Sequence, residues 1–182
     1  MSRPREFDPE LAVQGAMDVF WVQGFKATNL PDLLTAMGLT RGSFYKAFRD
    51  KETAYLAALD RYDELVVTET VTALTNCKAG SAAQCLSMLF QSSGDSRRGC
   101  FICNAMVELG PDHPQVAERT GQMAGRLRDA IRDVLVRSGD QTDEQVNGLA
   151  DTILHLYFGF QAMGRSGGGD ADWSLRLQRV LQ

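Results

Sequence analysis

The chain has 182 residues, 44% of them apolar and 23% charged, enough for one ordinary globular domain or for a small domain leaning on a larger one. A formal charge of −4 and an isoelectric point near 5.2 exclude a protein that coats nucleic acid non-specifically, because such binding depends on clustered cations that release counterions from phosphate. There is no apolar run of the roughly 18 residues that a membrane helix needs, and Met1 to Asp8 lacks the apolar stretch of a signal peptide. The expected location is therefore the cytoplasm, with no membrane partner, and Cys77, Cys85, Cys100 and Cys103 are all expected as thiols.

Asp8-Pro9 opens a first helix, with the aspartate as cap and the proline at the first helical position, where its fixed φ fits. Leu11, Gly15, Ala16, Val19 and Phe20 repeat behind it at helical spacing, and Gly24 ends it. Asn29 caps a second helix with Leu30, Leu33, Leu34 and Met37 on one face, Asp32 standing in a capping-box-like relation, and Gly38 stops it. Thr40 caps a third helix, Arg41 to about Phe48, and Asp50 a fourth that begins at Lys51 and continues through Leu56, Leu59, Leu65, Val66 and Leu74. Leu86, Leu89 and Phe90 mark a fifth, and after the turn formers Ser92 to Ser96 a sixth runs from near Gly99 to Glu108. Asp112 with Gln115 reads as the cap of a helix carrying Val116, Met123, Leu127, Ile131 and Val134, about 24 residues and roughly 36 Å long. Thr142 and Gln145 pair before the most apolar helix, with Val146, Leu149, Ile153, Leu156, Tyr157, Phe160 and Met163. Beyond Gly167-Gly168-Gly169 a short last helix presents Trp173, Leu177, Val180 and Leu181. No strand alternation interrupts this pattern, so the expected fold is all-α with about nine helices.

The segment Thr28 to Glu52 carries the most information. Its two short helices meet at a glycine turn, and the second turns Arg41, Ser43, Tyr45 and Lys46 outward while Phe44 and Phe48 face inward as an i, i+4 pair. Between Leu39 and Lys51 four cations, Arg41, Lys46, Arg49 and Lys51, stand against Asp50 alone, a local excess of three in an acidic chain. A donor-rich helix face of that charge suits the major groove of DNA; the alternative, a helix-turn-helix used for protein contact, makes poor use of it. In the last two helices Leu154 and Phe158 widen the apolar stripe beyond one buried face. They read as a surface for a second copy, with Leu149, Ile153, Tyr157, Phe160, Trp173 and Leu177 at the interface, or else as the completion of the protomer's own core.

The Gly24-Phe25 turn, Thr28, the Gly38-Leu39-Thr40 turn, the Phe44-Tyr45 pair, Phe48 and the Lys51-Glu52 start of helix four resemble the head of TetR-family transcriptional regulators. The resemblance covers about 50 residues by motif and the rest by architecture. It implies an Ω-shaped, all-α homodimer with a helix-turn-helix head over 1–50 and a ligand-binding and dimerisation domain over 51–182. By the same resemblance Arg41 and Ser43 face base edges, and Thr28, Thr40, Tyr45, Lys46 and Lys51 hold phosphates of double-stranded operator DNA, with Gly42 in the contact surface. Ala47 departs from the histidine or tyrosine that many members carry there, which removes one phosphate contact. Arg3 and Arg5 read as a groove-reaching arm or as a solvated terminus.

Arg97-Arg98-Gly99-Cys100-Phe101-Ile102-Cys103-Asn104 places a Cys-x-x-Cys at a helix start behind two arginines. Helix amides and cations favour a thiolate at Cys100, and Cys103, three residues on, stands as a resolving partner. The apolar neighbours Phe101, Ile102 and Met106 favour the other reading, two small buried hydrophobes. Gly99 to Asn104 with Glu108 also resembles the opening of the regulatory domain in one TetR branch, some of whose members respond to electrophiles or oxidants through a cysteine. Asn104 and Glu108 are expected to bond each other or to cap a neighbouring helix. The expected effector is a small electrophilic or apolar compound meeting Cys100 in a pocket lined by helices four to seven, with Cys103, Phe90, Met106, Met123 and Tyr157 as further candidates.

A single Cys-x-x-Cys without a second close pair argues against a zinc site, and no metal or cofactor is expected. His113 in a turn and His155 within an apolar helix have no partners that suggest catalysis, and Cys100 and Cys103 lack the βαβ context of a thiol oxidoreductase. The reading is a regulator and not an enzyme: a dimer sets two recognition helices roughly 34 to 36 Å apart, and a ligand in the body shifts helix four and with it that separation.

Overall fold

The computed structural model describes residues 7–91, 98–139, 141–164 and 172–182. Arg3, Arg5, Ser92 to Ser96, Arg97 and the Gly167-Gly168-Gly169 loop lie outside the described residues. Within them the helices are α1 (Pro9–Gln23), α2 (Leu30–Met37), α3 (Arg41–Phe48), α4 (Lys51–Tyr62), α5 (Thr68–Asn76), α6 (Ala82–Leu86), α7 (Phe101–Leu109), α8 (Pro114–Ser138), α9 (Asp143–Gly164) and α10 (Trp173–Val180). A π-helical turn, Asp63–Val67, joins α4 to α5 in one continuous rod, and a 3₁₀ turn, Ser87–Phe90, extends α6. That makes nine helical rods and no strand among the described residues.

Side-chain caps begin these helices where the sequence places them. Asp8 accepts from the amides of Glu10 and Leu11, Asn29 from Asp32, Thr40 from Ser43 and Asp50 from Thr53. Thr142 and Gln145 bond reciprocally at the start of α9. The start of α8 is different: His113 occupies the cap position without a side-chain cap bond and Pro114 takes the first helical position, so Asp112 does not cap it. The helix begins two residues after Asp112, and Pro114, whose fixed φ suits the first helical position, sets that start.

Helix α1 turns a different face inward from the one its large residues mark. Ala12, Ala16, Met17 and Phe20 are buried, whereas Leu11 is 70% exposed. The reason is close approach to α2: a Cβ on Gly15 would lie 1.9 Å from the carbonyl oxygen of Ala36, so the small residues Ala12, Gly15 and Ala16 must face in. Leu65 is exposed for a related reason, since the π-helical turn shifts the helical phase around it.

An aromatic spine ties head to body. Phe20 of α1 meets Tyr55 of α4 at 4.9 Å, Tyr55 meets Phe101 of α7 at 5.5 Å, Phe101 meets Tyr62 at 5.6 Å, and Tyr62 meets Trp21 at 5.0 Å, all edge to face. Helix α8 lies along the rod and pairs with it at three heights: His113 with Glu52, Arg119 with Asp60, and Arg126 with Asp63 of the π turn. Each pair is partly solvated and contributes roughly 0 to 1 kcal/mol, so together they set alignment more than stability.

Cys77 and Cys85 are joined in a disulfide, which corrects the expectation of four thiols. Cys77 caps the end of α5 and Cys85 sits in α6, and the short turn between them brings their Cα atoms to 5.8 Å. Sequence spacing alone does not fix that turn.

Candidate nucleic-acid interface

The candidate recognition surface is built on an apolar back. Phe44 and Phe48 are buried, stacked at 5.8 Å, and hold α3 against the core, so the opposite face must point to solvent. Arg41, Gly42, Tyr45 and Lys46 are exposed there, Tyr45 to 50%. A Cβ on Gly42 would meet nothing within 4 Å, so packing does not require glycine and the first turn of α3 is open to close approach. Thr40 is exposed and its hydroxyl lies 3.0 Å from that of the half-buried Ser43, so these two side chains are held together at the helix start.

Thr28 departs from the expectation. It is fully buried and its hydroxyl donates to the carbonyl of Gly24 at 2.6 Å, so it braces the α1–α2 turn from inside and its side chain does not reach a phosphate. Lys51 is half-buried with its ammonium 4.4 Å from the centre of the Phe25 ring; burial lowers its pKa and the carboxylate of Glu108 opposes that shift. Arg49, at the α3–α4 junction, has φ 62 and ψ −51, and Asp50 N–H reaches back to the Phe48 carbonyl at 2.6 Å. This is a γ-turn centred on a non-glycine residue, a strained conformation held at the end of α3, and nothing in the residue type announces it.

The head is fastened to the body by side chains that reach across the chain. Glu108 of α7 accepts from the backbone N–H of Phe25 at 2.9 Å and from that of Lys26 at 2.7 Å. Trp21 donates to the carbonyl of Gly99 at 3.0 Å, and Arg98 pairs with Asp18 while stacking over the Trp21 ring. Asn104 and Glu108 are not bonded to each other, because the Asn104 amide donates to the Arg98 carbonyl at 3.0 Å. A cleft of about 380 Å³ opens beside this junction, lined by Trp21, Phe101, Cys103, Asn104, Glu108 and their neighbours.

Of the six expected effector contacts, Cys103 lines that cleft, whereas Phe90, Cys100, Met123 and Tyr157 are buried in the core and Met106 is packed against it. Cys100 is 2% exposed at the cap position of α7, with the Tyr62 hydroxyl donating to its sulfur at 3.9 Å. Burial pushes the Cys100 thiol up, against the activation expected from a helix start; Arg98 is spent on Asp18 and Trp21. Tyr62 and Tyr157 are likewise raised by burial.

The expected interface residues divide. Ile153, Tyr157 and Leu177 are buried within the protomer and are not available to a second copy. Phe160 and Trp173 are half-buried around Phe90, which stacks on Trp173 at 4.1 Å, and Leu149 is half-buried. Among the described residues of α9 and α10 the most exposed large apolar side chains are Met163 at 67%, Leu175 at 48% and Val180 at 37%, and His155 is exposed. A wide stripe at helical spacing marks both faces, and only packing separates them.

A short helix with a cationic outer face, set on a capped turn and locked to a helical body, defines a helix-turn-helix DNA-binding protein. The family model described as bacterial regulatory proteins of the tetR family matches residues 12–58. The uncharacterized HTH-type transcriptional regulator YezE of Bacillus subtilis (strain 168) is 31% identical over 150 residues, 78% of this chain and 75% of YezE. The HTH-type transcriptional repressor ComR of Escherichia coli (strain K12) is 34% identical over 121 residues, 63% of this chain and 57% of ComR. Among solved structures, a cysteine mutant of the TetR family regulator CifR, complexed with 26-base-pair operator DNA, has a TM-score of 0.80 at 27% identity, covering 98% of both chains. The chain belongs to the TetR family of transcriptional regulators. No helix among the described residues is long and apolar enough to cross a membrane.

Proposed function

We propose that the chain is a one-component repressor that binds a pseudo-palindromic operator as a homodimer and is released by a small-molecule effector. The observation that carries this reading is the exposed cationic face of α3 on a buried aromatic back. ComR is a repressor by name, and CifR is complexed with operator DNA, which supports extending both properties to this chain. Arg41 and Ser43 read base edges; Thr40, Tyr45, Lys46 and Lys51 hold phosphates; the backbone at Gly42 lies against the duplex. We assign DNA reading to 1–50 and effector binding and dimerisation to 51–182, with the second copy docking over the outward faces of α9 and α10, where Met163, Leu175 and Val180 are exposed.

Effector binding in the body acts on DNA through helix α4, whose start carries Lys51 and whose length is paired with α8. Burial of Cys100 favours a non-covalent effector, and the covalent alternative requires the body to open. Sedimentation of the protein with an operator duplex should give an even number of protomers per duplex; a complex containing one protomer contradicts the dimer reading. Cys100→Ser should respond to effector as the parent does, and loss of the response would restore Cys100 as the sensor.

A further inference from the structure

Glu108 is the one carboxylate of the described body that holds the backbone of the head, and its geometry is specific. Each oxygen takes one of two successive amides, Phe25 at 2.9 Å and Lys26 at 2.7 Å, so the group grips a turn and not a side chain. The turn is shaped to admit it. Gly24 has φ 82, and a Cβ there would lie 2.8 Å from Oε2 of Glu108, so any side chain would displace the carboxylate as well as strain the backbone. The same carboxylate raises the pKa of Tyr55 alongside burial and opposes the lowering at Lys51, which places its charge among the residues where α1, α4 and α7 converge. Glu108 and Gly24 both line the open cleft, which gives the side chain room to leave the turn.

We propose that Glu108 is a positioning residue for DNA binding: by gripping the Phe25 and Lys26 amides it fixes the orientation of the head on the body, and hence the spacing at which two recognition helices meet an operator. This rests on the operator-binding reading above. α7 belongs to the regulatory body, so the grip is also a direct route from body to head that bypasses α4. Glutamine in its place keeps the size but offers one acceptor oxygen and turns an NH₂ donor toward the second amide, so the isosteric variant breaks the grip without emptying the site.

The test compares the full chain with Glu108→Gln in two measurements. Amide hydrogen exchange in the free protein reads the grip without DNA: exchange at Phe25 and Lys26 should speed up about tenfold, while the amides of α8 keep their protection. Binding to a series of operators with altered spacers, built from the sequence protected beside the protein's own gene, reads the consequence. Affinity for the natural spacing should fall about tenfold, and spacers one base pair longer or shorter should lose their disadvantage. A general loss of stability would lower affinity for every spacer in proportion and leave the preference intact. That outcome, or unchanged exchange at the two amides, overturns the inference. A parent protein that binds no spacer overturns the operator reading and the inference with it, and is distinguished from failure of the grip because the exchange measurement involves no DNA.

Discussion

The head and the distal body bury aromatic residues to different ends. In the head, Phe44 and Phe48 are stacked behind an eight-residue helix whose other face displays Arg41, Tyr45 and Lys46 to solvent, so one pair of rings decides which residues are displayed. In the distal body, Phe90, Tyr157, Phe160 and Trp173 pile together, half of them partly exposed, and the indole nitrogen of Trp173 is buried with no hydrogen-bond partner among the described residues. The first arrangement has one solution. The second leaves an unsatisfied polar atom beside half-exposed rings, the composition of a region that can repack around a partner or a ligand.

The largest break of this contrast is Phe44→Ala. Truncating a fully buried ring should cost about 3 to 5 kcal/mol, and amide exchange should show α2 and α3 losing protection while α8 and α9 retain theirs. Equal loss in both regions would mean that head and body fold as a single unit. Next is the distal disulfide: Cys77→Ser with Cys85→Ser should lower stability by about 2.5 kcal/mol, as expected for closing a loop of this length, and reductant should do the same to the parent but not to the variant. Operator affinity should be unchanged, and a loss would tie the α5–α6 clasp to the head. Smaller again is Arg41→Ala, which should cost about 1 to 3 kcal/mol of discrimination between bases. Lys46→Ala should weaken all sequences alike and reduce the salt slope by about 1. Equal loss of preference in both variants would contradict the assigned roles. The smallest effect is in acid. The amide of Thr53 beside the Asp50 carboxyl holds its pKa below the usual 3.8, so the folded-state group binds its proton less readily than the unfolded one. Its contribution is fully present above pH 3.8 and is lost as pH falls through the lowered value; being exposed, it should amount to under about 1 kcal/mol. Acid titration of Asp50→Asn should lack that loss, and a variant titrating as the parent does would remove the cap from the account.

The head was legible because its information is local. Caps at Asp8, Asn29, Thr40 and Asp50 each lie within three residues of the amides that donate to them, and the Phe44, Phe48 pair fixes a helix face within one turn. Thr28 misled because a hydroxyl four residues from Gly24 serves equally to brace a turn or to meet a phosphate, and only burial separates the two. In the body, Ile153 and Met163 share one apolar stripe, yet one is buried and the other two-thirds exposed. Periodicity cannot tell these apart, since it reports a stripe's width and not what covers it. Nor does it register contacts more than 80 residues apart, which is why Glu108 reads as a local capping residue in sequence and holds the head in the fold.

Sequence-specific DNA recognition by α3 is tested by footprinting of the purified protein on the DNA flanking its own gene, beside the double variant Arg41→Ala with Lys46→Ala. The parent should protect a pseudo-palindrome with half-sites about one helical turn apart, and the double variant should lose that protection at the same protein concentration. Protection that persists in the double variant would show that α3 is not the recognition element.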